Sequence, residues 1–208
     1  TELADDSALK AVTALLLLSP SPPLIFMGQE WGTRRPFPFF CDFGSDLAPK
    51  VTEGRRQEFA RFPAFSDPRE WARIPDPVAE STFDSARLPW DELQQPVYRD
   101  WWDTFRDLLR LRREHLTGRL AGLQREGSGY RLLDETGLAV HWPFDDGSRW
   151  LILANLGPEP VADVSPPAGE VVFSLPASPG KWRRTLPPWS VRVLWQRAGH
   201  TDEPRFDT

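Results

Sequence analysis

The sequence predicts an α/β segment followed by an all-β domain. A helix and a buried strand lie close together near the N-terminus, and the hydrophobic period changes from about 3.6 to about 2 residues after Arg119. A long stretch without any period separates the two parts. The 208 residues carry 25 Lys and Arg against 30 Asp and Glu, and 40% of them are apolar. This composition is typical of a folded globular protein and argues against wholesale disorder.

The N-terminal segment has the pattern of one helix followed by one strand. A helix is predicted over residues 7–18, because leucines and a valine recur there at helical spacing. Several prolines end it. The apolar run 24–27 follows and is closed by Gly28. Its lack of alternation predicts a strand buried on both faces of a parallel sheet.

Residues 32–95 show no sustained periodicity, which predicts a long functional loop. Within this loop, residues 36–40 form an aromatic run, and short helices are predicted over 51–62 and 68–73.

The C-terminal half starts with a helix and continues with strands. The helix is predicted over 98–115 from its wide apolar stripe, and Arg112 near its end suits the helix dipole. Gly118 ends it. Five strands with a period of about 2 then predict a small antiparallel sandwich or open barrel. The predicted strands are 130–133, 138–142, 149–154, 170–175 and 190–195.

Composition and motifs exclude several classes of function. The excess of acidic residues disfavours nucleic acid as a partner, since phosphate binding needs a clustered basic face. The longest apolar run is far shorter than the roughly 20 residues of a membrane span. Cys41 is the single cysteine, and His115, His141 and His200 show no ligand spacing, so we expect neither a metal nor a cofactor. The chain starts with Thr1 rather than Met, so we expect that it begins inside a longer protein or after processing. We expect the protein to be cytoplasmic.

The segment 15–32 resembles the last helix–strand unit of the α-amylase family, glycoside hydrolase family 13. The eighth barrel strand of that family ends in a Gly-x-Glu signature, which Gly28-Gln29-Glu30 matches. The loop 39–43 and the run 53–62 are similar to the trehalose-releasing hydrolases of the family. The resemblance covers residues 8–116.

The resemblance implies a fold and an activity. Residues 1–117 would form the C-terminal segment of a (β/α)8 TIM barrel: the last helix, strand 8, a long loop and helix 8. Residues 118–198 would form a small antiparallel β-sandwich domain, and 199–208 a flexible tail. The implied enzyme hydrolyses the α-1,4-glucosidic bond beside the trehalose unit of maltooligosyl trehalose.

The resemblance also implies that the catalytic carboxylates precede Thr1. We therefore expect no catalytic residue in this chain and no hydrolysis by it alone. Its expected partners are an α-glucan oligosaccharide and the missing N-terminal part of the barrel. A barrel strand without neighbours exposes unpaired edges, so we expect the isolated chain to oligomerise or to be unstable.

Five residues are candidates for substrate binding. Barrel active sites lie at the carboxyl ends of the strands, aromatic rings stack on the C–H faces of sugars, and carboxylates accept hydrogen bonds from hydroxyls. Alternatively, the glutamate is buried against a neighbouring loop or a barrel arginine, the aspartate caps its loop, and the aromatic rings pack on the barrel rim. The candidates are Glu30, Trp31, Phe39, Phe40 and Asp42.

Two other functions remain open. The tryptophans of the β domain suggest an accessory domain that holds α-glucan without cutting it. Trp182 and Trp189 flank a proline turn and are the candidates for an exposed platform, whereas Trp150 and Trp195 lie in apolar strand runs. The chain could also be part of another α-amylase-family enzyme, such as a glucan branching enzyme.

Overall fold

The computed structural model describes residues 4–177 and 184–199. The chain divides into two compact units. Residues 1–31 and 99–208 form one, called the sheet unit, and residues 32–98 form the other, called the loop unit. The expected domain boundary near Gly118 stays a prediction, since this division follows residue contacts alone.

Helices and strands lie largely where the sequence predicts them. The described α-helices are α1 (Asp6–Leu18), α2 (Ala48–Phe59), α3 (Glu80–Ser85) and α4 (Pro96–His115). The described strands are β1 (Gly129–Leu132), β2 (Gly137–Pro143), β3 (Arg149–Asn155), β4 (Val161–Ala162), β5 (Glu170–Leu175), β6 (Thr185–Leu186) and β7 (Ser190–Gln196). The predicted helices at 7–18, 51–62 and 98–115 and all five predicted strands are therefore confirmed. The sequence does not predict α3, β4 or β6.

Residues 24–27 do not form the expected strand. No segment within the described residues pairs with them, and the Leu24 side chain is 90% exposed. A β-strand is stabilised by hydrogen bonds to a neighbouring strand. An apolar run without such a neighbour therefore does not form a strand. The prediction of a strand is wrong for this structure, and Phe26 and Met27 are about half exposed beside Leu24.

The five longer strands form one antiparallel sheet in the order β1-β2-β3-β7-β5. One face packs against α1 and α4 through Trp150, Ile152 and Val193. The opposite face carries Leu151 and Leu153, which pack with residues of the β4–β6 pair. The predicted antiparallel sheet is thus confirmed, and it lies between a helical layer and a two-stranded layer. A separate β-sandwich domain over 118–198 stays a prediction.

A buried arginine joins α1 to α4. Arg112 lies in the apolar stripe of α4 and is 8% exposed. Its guanidinium donates to the carbonyl oxygens of Leu17 and Ser21, each at 2.9 Å, and to those of Ser19 and Pro20. The last carbonyls of a helix lack partners within the helix, so Arg112 satisfies the end of α1. Burial lowers the pKa of this guanidinium from its ordinary value.

One buried asparagine organises the end of β3. The Asn155 side chain has no exposed surface. Its amide N–H groups donate to backbone carbonyls at 2.7 to 3.3 Å, and its carbonyl oxygen accepts two bonds at 3.0 Å. Its partners are Thr136, Gly157, Glu159, Leu186 and Pro187. These bonds tie the turns after β3 and β6 to the start of β2.

The loop unit contains α2, α3 and short 3-10 helices. The helix predicted at 68–73 is a 3-10 helix, Pro68–Arg73. Asp76 joins the parts of the unit: its carboxylate accepts from the Thr52 hydroxyl at 2.8 Å and its carbonyl accepts from the Thr82 hydroxyl at 2.6 Å. The stretch therefore has a defined local structure although it lacks hydrophobic periodicity.

Candidate functional site

Glu30 lies in a short 3-10 helix, Gln29–Trp31, immediately after a tight turn. The turn is closed by the Gln29 amide, which donates to the Phe26 carbonyl at 3.0 Å, and by Gly28 at a φ of 87°. A positive φ of this size favours glycine. The carboxylate of Glu30 is partly buried, and its Oε2 has no hydrogen-bond partner among the described residues.

The Glu30 carboxylate lines a cavity of about 590 Å³ within the sheet unit. α4 supplies the other walls: apolar groups of Trp102, Phe105 and Leu109, and charged groups that recur one helical turn apart. The charged residues are Arg106, Asp107, Arg110 and Arg113. A buried carboxylate oxygen without a donor is costly, so this cavity is suited to a ligand or protein group that donates hydrogen bonds.

Trp31 is fully buried. A ring with no exposed surface cannot stack on a sugar while it keeps this position.

Phe40 packs inside an aromatic cluster of the loop unit. Its ring centre lies 5.5 Å from that of Phe37 and 5.1 Å from that of Phe83, the second pair being edge to face. The amide of the next residue, Cys41, donates to the Pro77 carbonyl at 2.8 Å and fixes the loop. The contacts of Phe40 match the packing alternative more closely than a free stacking surface.

Phe39 and Asp42 are the exposed members of the candidate set. Phe39 is 47% exposed, and the Arg55 guanidinium lies 5.3 Å from its ring centre. Arg55 also lies 4.7 Å from the Phe59 ring and pairs with Glu58 at 2.6 Å. The ring of Phe39 is thus held by a cation–π contact while nearly half of its surface is open. Asp42 is exposed on the same loop.

The structure brings Phe39, Phe40 and Asp42 into one unit, and Glu30 and Trp31 into the other. Their common role in substrate binding stays a prediction.

The sequence does not predict several residues that surround the candidate site residues. The arginines that line the Glu30 cavity carry a signal, since they recur at helical spacing along α4. Arg55 looks like one residue of a solvated basic face, although it lies between two phenylalanine rings. Phe83 gives no signal, because it lies on a six-residue helix without an apolar stripe.

The tryptophans of the β domain differ in burial. Trp150 is fully buried and its indole N–H donates to the Leu18 carbonyl at 2.8 Å. Trp195 is partly buried and packs against Trp150 at the margin of the same core. Trp189 is partly buried and packs against the same core, which argues against an exposed platform there. Trp182 lies outside the described residues.

The described part of the chain offers no cluster of three or more His, Cys, Asp or Glu side chains suited to a metal ion. His141 contacts the Gly127 carbonyl through Nε2 at 2.8 Å, and His200 lies outside the described residues. No described helix is long and apolar enough to cross a membrane.

The sequence relatives of this chain all carry the same name. A family model described as a domain of unknown function, DUF3459, matches residues 125–193. The malto-oligosyltrehalose trehalohydrolase of Deinococcus radiodurans is 45% identical over 101 residues, 49% of this chain. Those of Mycobacterium tuberculosis and Brevibacterium helvolum are each 32% identical, over 80% and 88% of this chain. The chain spans 16%, 26% and 30% of the lengths of these three relatives.

Solved structures of α-amylase-family proteins share the fold. A Salmonella typhimurium protein assigned as an alpha amylase is 32% identical, with a TM-score of 0.81 over 94% of this chain and 32% of its own. An isomaltulose synthase of Erwinia rhapontici, 17% identical, matches 92% of this chain and 38% of its own with a TM-score of 0.55. The second match shows similarity of fold alone.

Proposed function

Because this chain is a relative of the malto-oligosyltrehalose trehalohydrolases of the α-amylase family, we propose that it forms the C-terminal part of such a glycoside hydrolase. The enzyme would cut the α-1,4-glucosidic bond beside the trehalose unit of maltooligosyl trehalose and release trehalose. The supporting observation is the 32% identity to the Brevibacterium helvolum enzyme over 198 residues.

In this proposal the chain supplies no catalytic carboxylate. A retaining glycosidase needs two carboxyl groups about 5–5.5 Å apart, one of them a nucleophile. Asp107 lines the same cavity as Glu30, but it pairs with Arg110 at 3.4 Å and serves that ion pair. We expect the catalytic carboxylates to lie outside this chain, as the resemblance to the family implies. The chain alone is therefore expected to be inactive.

The exposed loop residues contact the substrate in this proposal. The open part of the Phe39 ring takes the C–H face of a glucose unit, and the exposed Asp42 carboxylate accepts hydrogen bonds from sugar hydroxyls. Phe40 and Trp31 hold the loop and the turn in place through their packing. The unsatisfied oxygen of Glu30 receives a donor from the rest of the enzyme or from the sugar.

The exposed apolar run is the contact with the rest of the barrel. Leu24, Phe26 and Met27 are all more than half exposed, and at about 25 cal/mol per Å² their burial favours association with another element. We propose that neighbouring strands of the enzyme cover them.

A chimera tests the activity. This chain replaces the matching region of the Brevibacterium helvolum enzyme, which aligns with 88% of it, and trehalose released from maltotriosyl trehalose is measured by chromatography. The chimera is expected to release trehalose and the chain alone none. Phe39→Ala is expected to raise KM with little change in kcat, and Phe62→Ala, at an exposed ring outside the candidate set, serves as the control.

Two results contradict the proposal. Trehalose release by the chain alone would place catalytic groups within it, and Glu30 and Asp42 would then be the residues to change. A folded chimera without trehalose release would refute the assignment of substrate.

A further inference from the structure

A second cavity lies in the sheet unit, beside the C-terminal end of α4. Its volume is about 420 Å³, within the range of roughly 300–1,000 Å³ that small-molecule sites occupy. Four separate segments form it: the end of α4 with the residues after it, the turn between β2 and β3, the edge strand β5, and the end of β7. Its lining includes His115, Arg119, Asp146, Glu170, Trp195 and Arg197.

Arg119 is held in position as a donor. Its Nη1 donates to the carbonyl oxygens of His115 at 2.9 Å and of Glu114 at 3.5 Å, and its guanidinium lies 4.9 Å from the ring centre of Trp195. A guanidinium has five N–H donors, so the two bonds from Nη1 leave three for other partners. These donors are presented next to the partly buried indole of Trp195.

Asp146 is held in position as an acceptor by its turn. Residues 144–148 connect β2 to β3. Within them, the Phe144 amide donates to the Ser148 carbonyl at 2.9 Å and closes a three-residue loop whose last residue, Gly147, has a φ of 79°. This is the hairpin geometry that places glycine last. The hydroxyl and amide of Ser148 donate to the carboxylate of Asp146 and hold its pKa below the ordinary 3.8.

The arginines and the carboxylates that line the cavity balance in formal charge. Two guanidinium groups, Arg119 and Arg197, face two carboxylates, Asp146 and Glu170, and Arg197 pairs with Glu170 at 3.6 Å. An anion would be repelled by both carboxylates, and a cation would be repelled by both guanidinium groups. A neutral ligand with many hydroxyls meets neither repulsion, because each hydroxyl both donates and accepts.

We propose that this cavity binds a short neutral oligosaccharide, in addition to the residues already assigned to substrate. Arg119 donates to sugar hydroxyls, Asp146 and Glu170 accept from them, and the exposed part of Trp195 contacts the ring carbons. The choice of glucose units rests on the proposed function, whereas the choice of a neutral polyol rests on the balanced charges of the cavity.

Titration of the chain with maltotriose tests this site. The ¹⁵N-labelled chain is titrated, and the indole N–H of Trp195 and the amide of Ser148 are followed by NMR. Both signals are expected to shift with one saturation curve. Arg119→Ala and Glu170→Gln are each expected to weaken this binding at least tenfold, while Arg73→Ala, which breaks an exposed ion pair with Glu70, leaves it unchanged.

Other results overturn the site. Unshifted Trp195 and Ser148 signals at high maltotriose, or an unchanged affinity in Arg119→Ala and Glu170→Gln, would refute it. Inorganic phosphate that competes with maltotriose would show an anion site instead. Phe39→Ala separates the two proposals, because it is expected to impair the chimera and to leave the Trp195 curve unchanged.

Discussion

Replacing Arg112 by Met should destabilise the sheet unit by about 2–4 kcal/mol. Met keeps most of the length and apolar contact of the side chain but donates no hydrogen bond. The buried bond to the Leu17 carbonyl is worth about 1.5–3 kcal/mol as a bond from a charged group. The carbonyls of Ser19 and Ser21 are less buried and can bind water, so their bonds contribute about 0.5–1 kcal/mol each.

Relief of guanidinium burial lowers the expected loss. Arg112 is buried without a carboxylate partner among the described residues, and its transfer from water opposes folding. The bonds together contribute about 2.5–5 kcal/mol, and the relief of burial lowers the expected net loss to about 2–4 kcal/mol. Arg112→Lys should fall between the wild type and the Met variant, since an ammonium keeps the charge but cannot span several carbonyls in a planar fork.

Urea denaturation followed by circular dichroism measures the effect. The midpoint should fall while the slope m stays constant, which assigns the change to stability rather than to compactness. Arg110→Ala is the control: its ion pair with Asp107 is exposed on both sides, and such pairs contribute about 0–1 kcal/mol. A loss of less than about 1 kcal/mol in Arg112→Met would refute the capping of α1 by this arginine.

Three further changes probe the other local structures. Asn155→Leu should destabilise the chain by about 2–4 kcal/mol in urea, because it leaves buried backbone groups unpaired; a loss below about 1 kcal/mol would contradict this. Gly147→Ala should cost about 1 kcal/mol or more, since its positive φ strains an alanine, whereas Gly44→Ala, which meets open space, should change the melting temperature little. Asp5 caps α1 through the Ser7 amide, which keeps its pKa below 3.8. The stabilisation by Asp5 is therefore present above pH 3.8 and is lost as the pH falls through the lowered pKa of the folded state. The difference in melting temperature between the wild type and Asp5→Ala should shrink in acid. A difference that stays constant would refute the charged cap.

Local patterns predicted most of the secondary structure. α1, α4 and the five longer strands follow from hydrophobic periodicity, which needs only the residues of each element. The run 24–27 shows the limit of this reasoning. Its apolar residues predict a buried strand, but a strand also needs a neighbour to pair with, and this information is not local.

The short elements gave too little pattern to be predicted. β4 and β6 have two residues each. Two residues are too few to show an alternation of apolar and polar side chains. Arg112 suits the dipole of its own helix, whereas the structure directs it to the carbonyls of α1. Its position on the apolar stripe of α4 carried the signal, since a charged residue on a buried face needs partners there.

The candidate site was predicted by residue type and resemblance rather than by geometry. Rings at 39 and 40 were equally good candidates for stacking on sugar. The structure separates them, because Phe40 packs between two other rings and Phe39 keeps nearly half of its surface open. Partners such as Phe83 lie more than forty residues along the chain from Phe40, beyond the range of a local pattern.

The bond from the indole of Trp150 to the carbonyl of Leu18 has a consequence for synthesis of the chain. The two residues are 132 positions apart, and ribosomes add about 5–20 residues per second. Trp150 is therefore made about 7–26 s after Leu18, and β7 follows later still. The loop unit is contiguous and can form during this delay. α4 precedes β3 along the chain and packs on α1, so the two helices can associate before the sheet that covers them is complete.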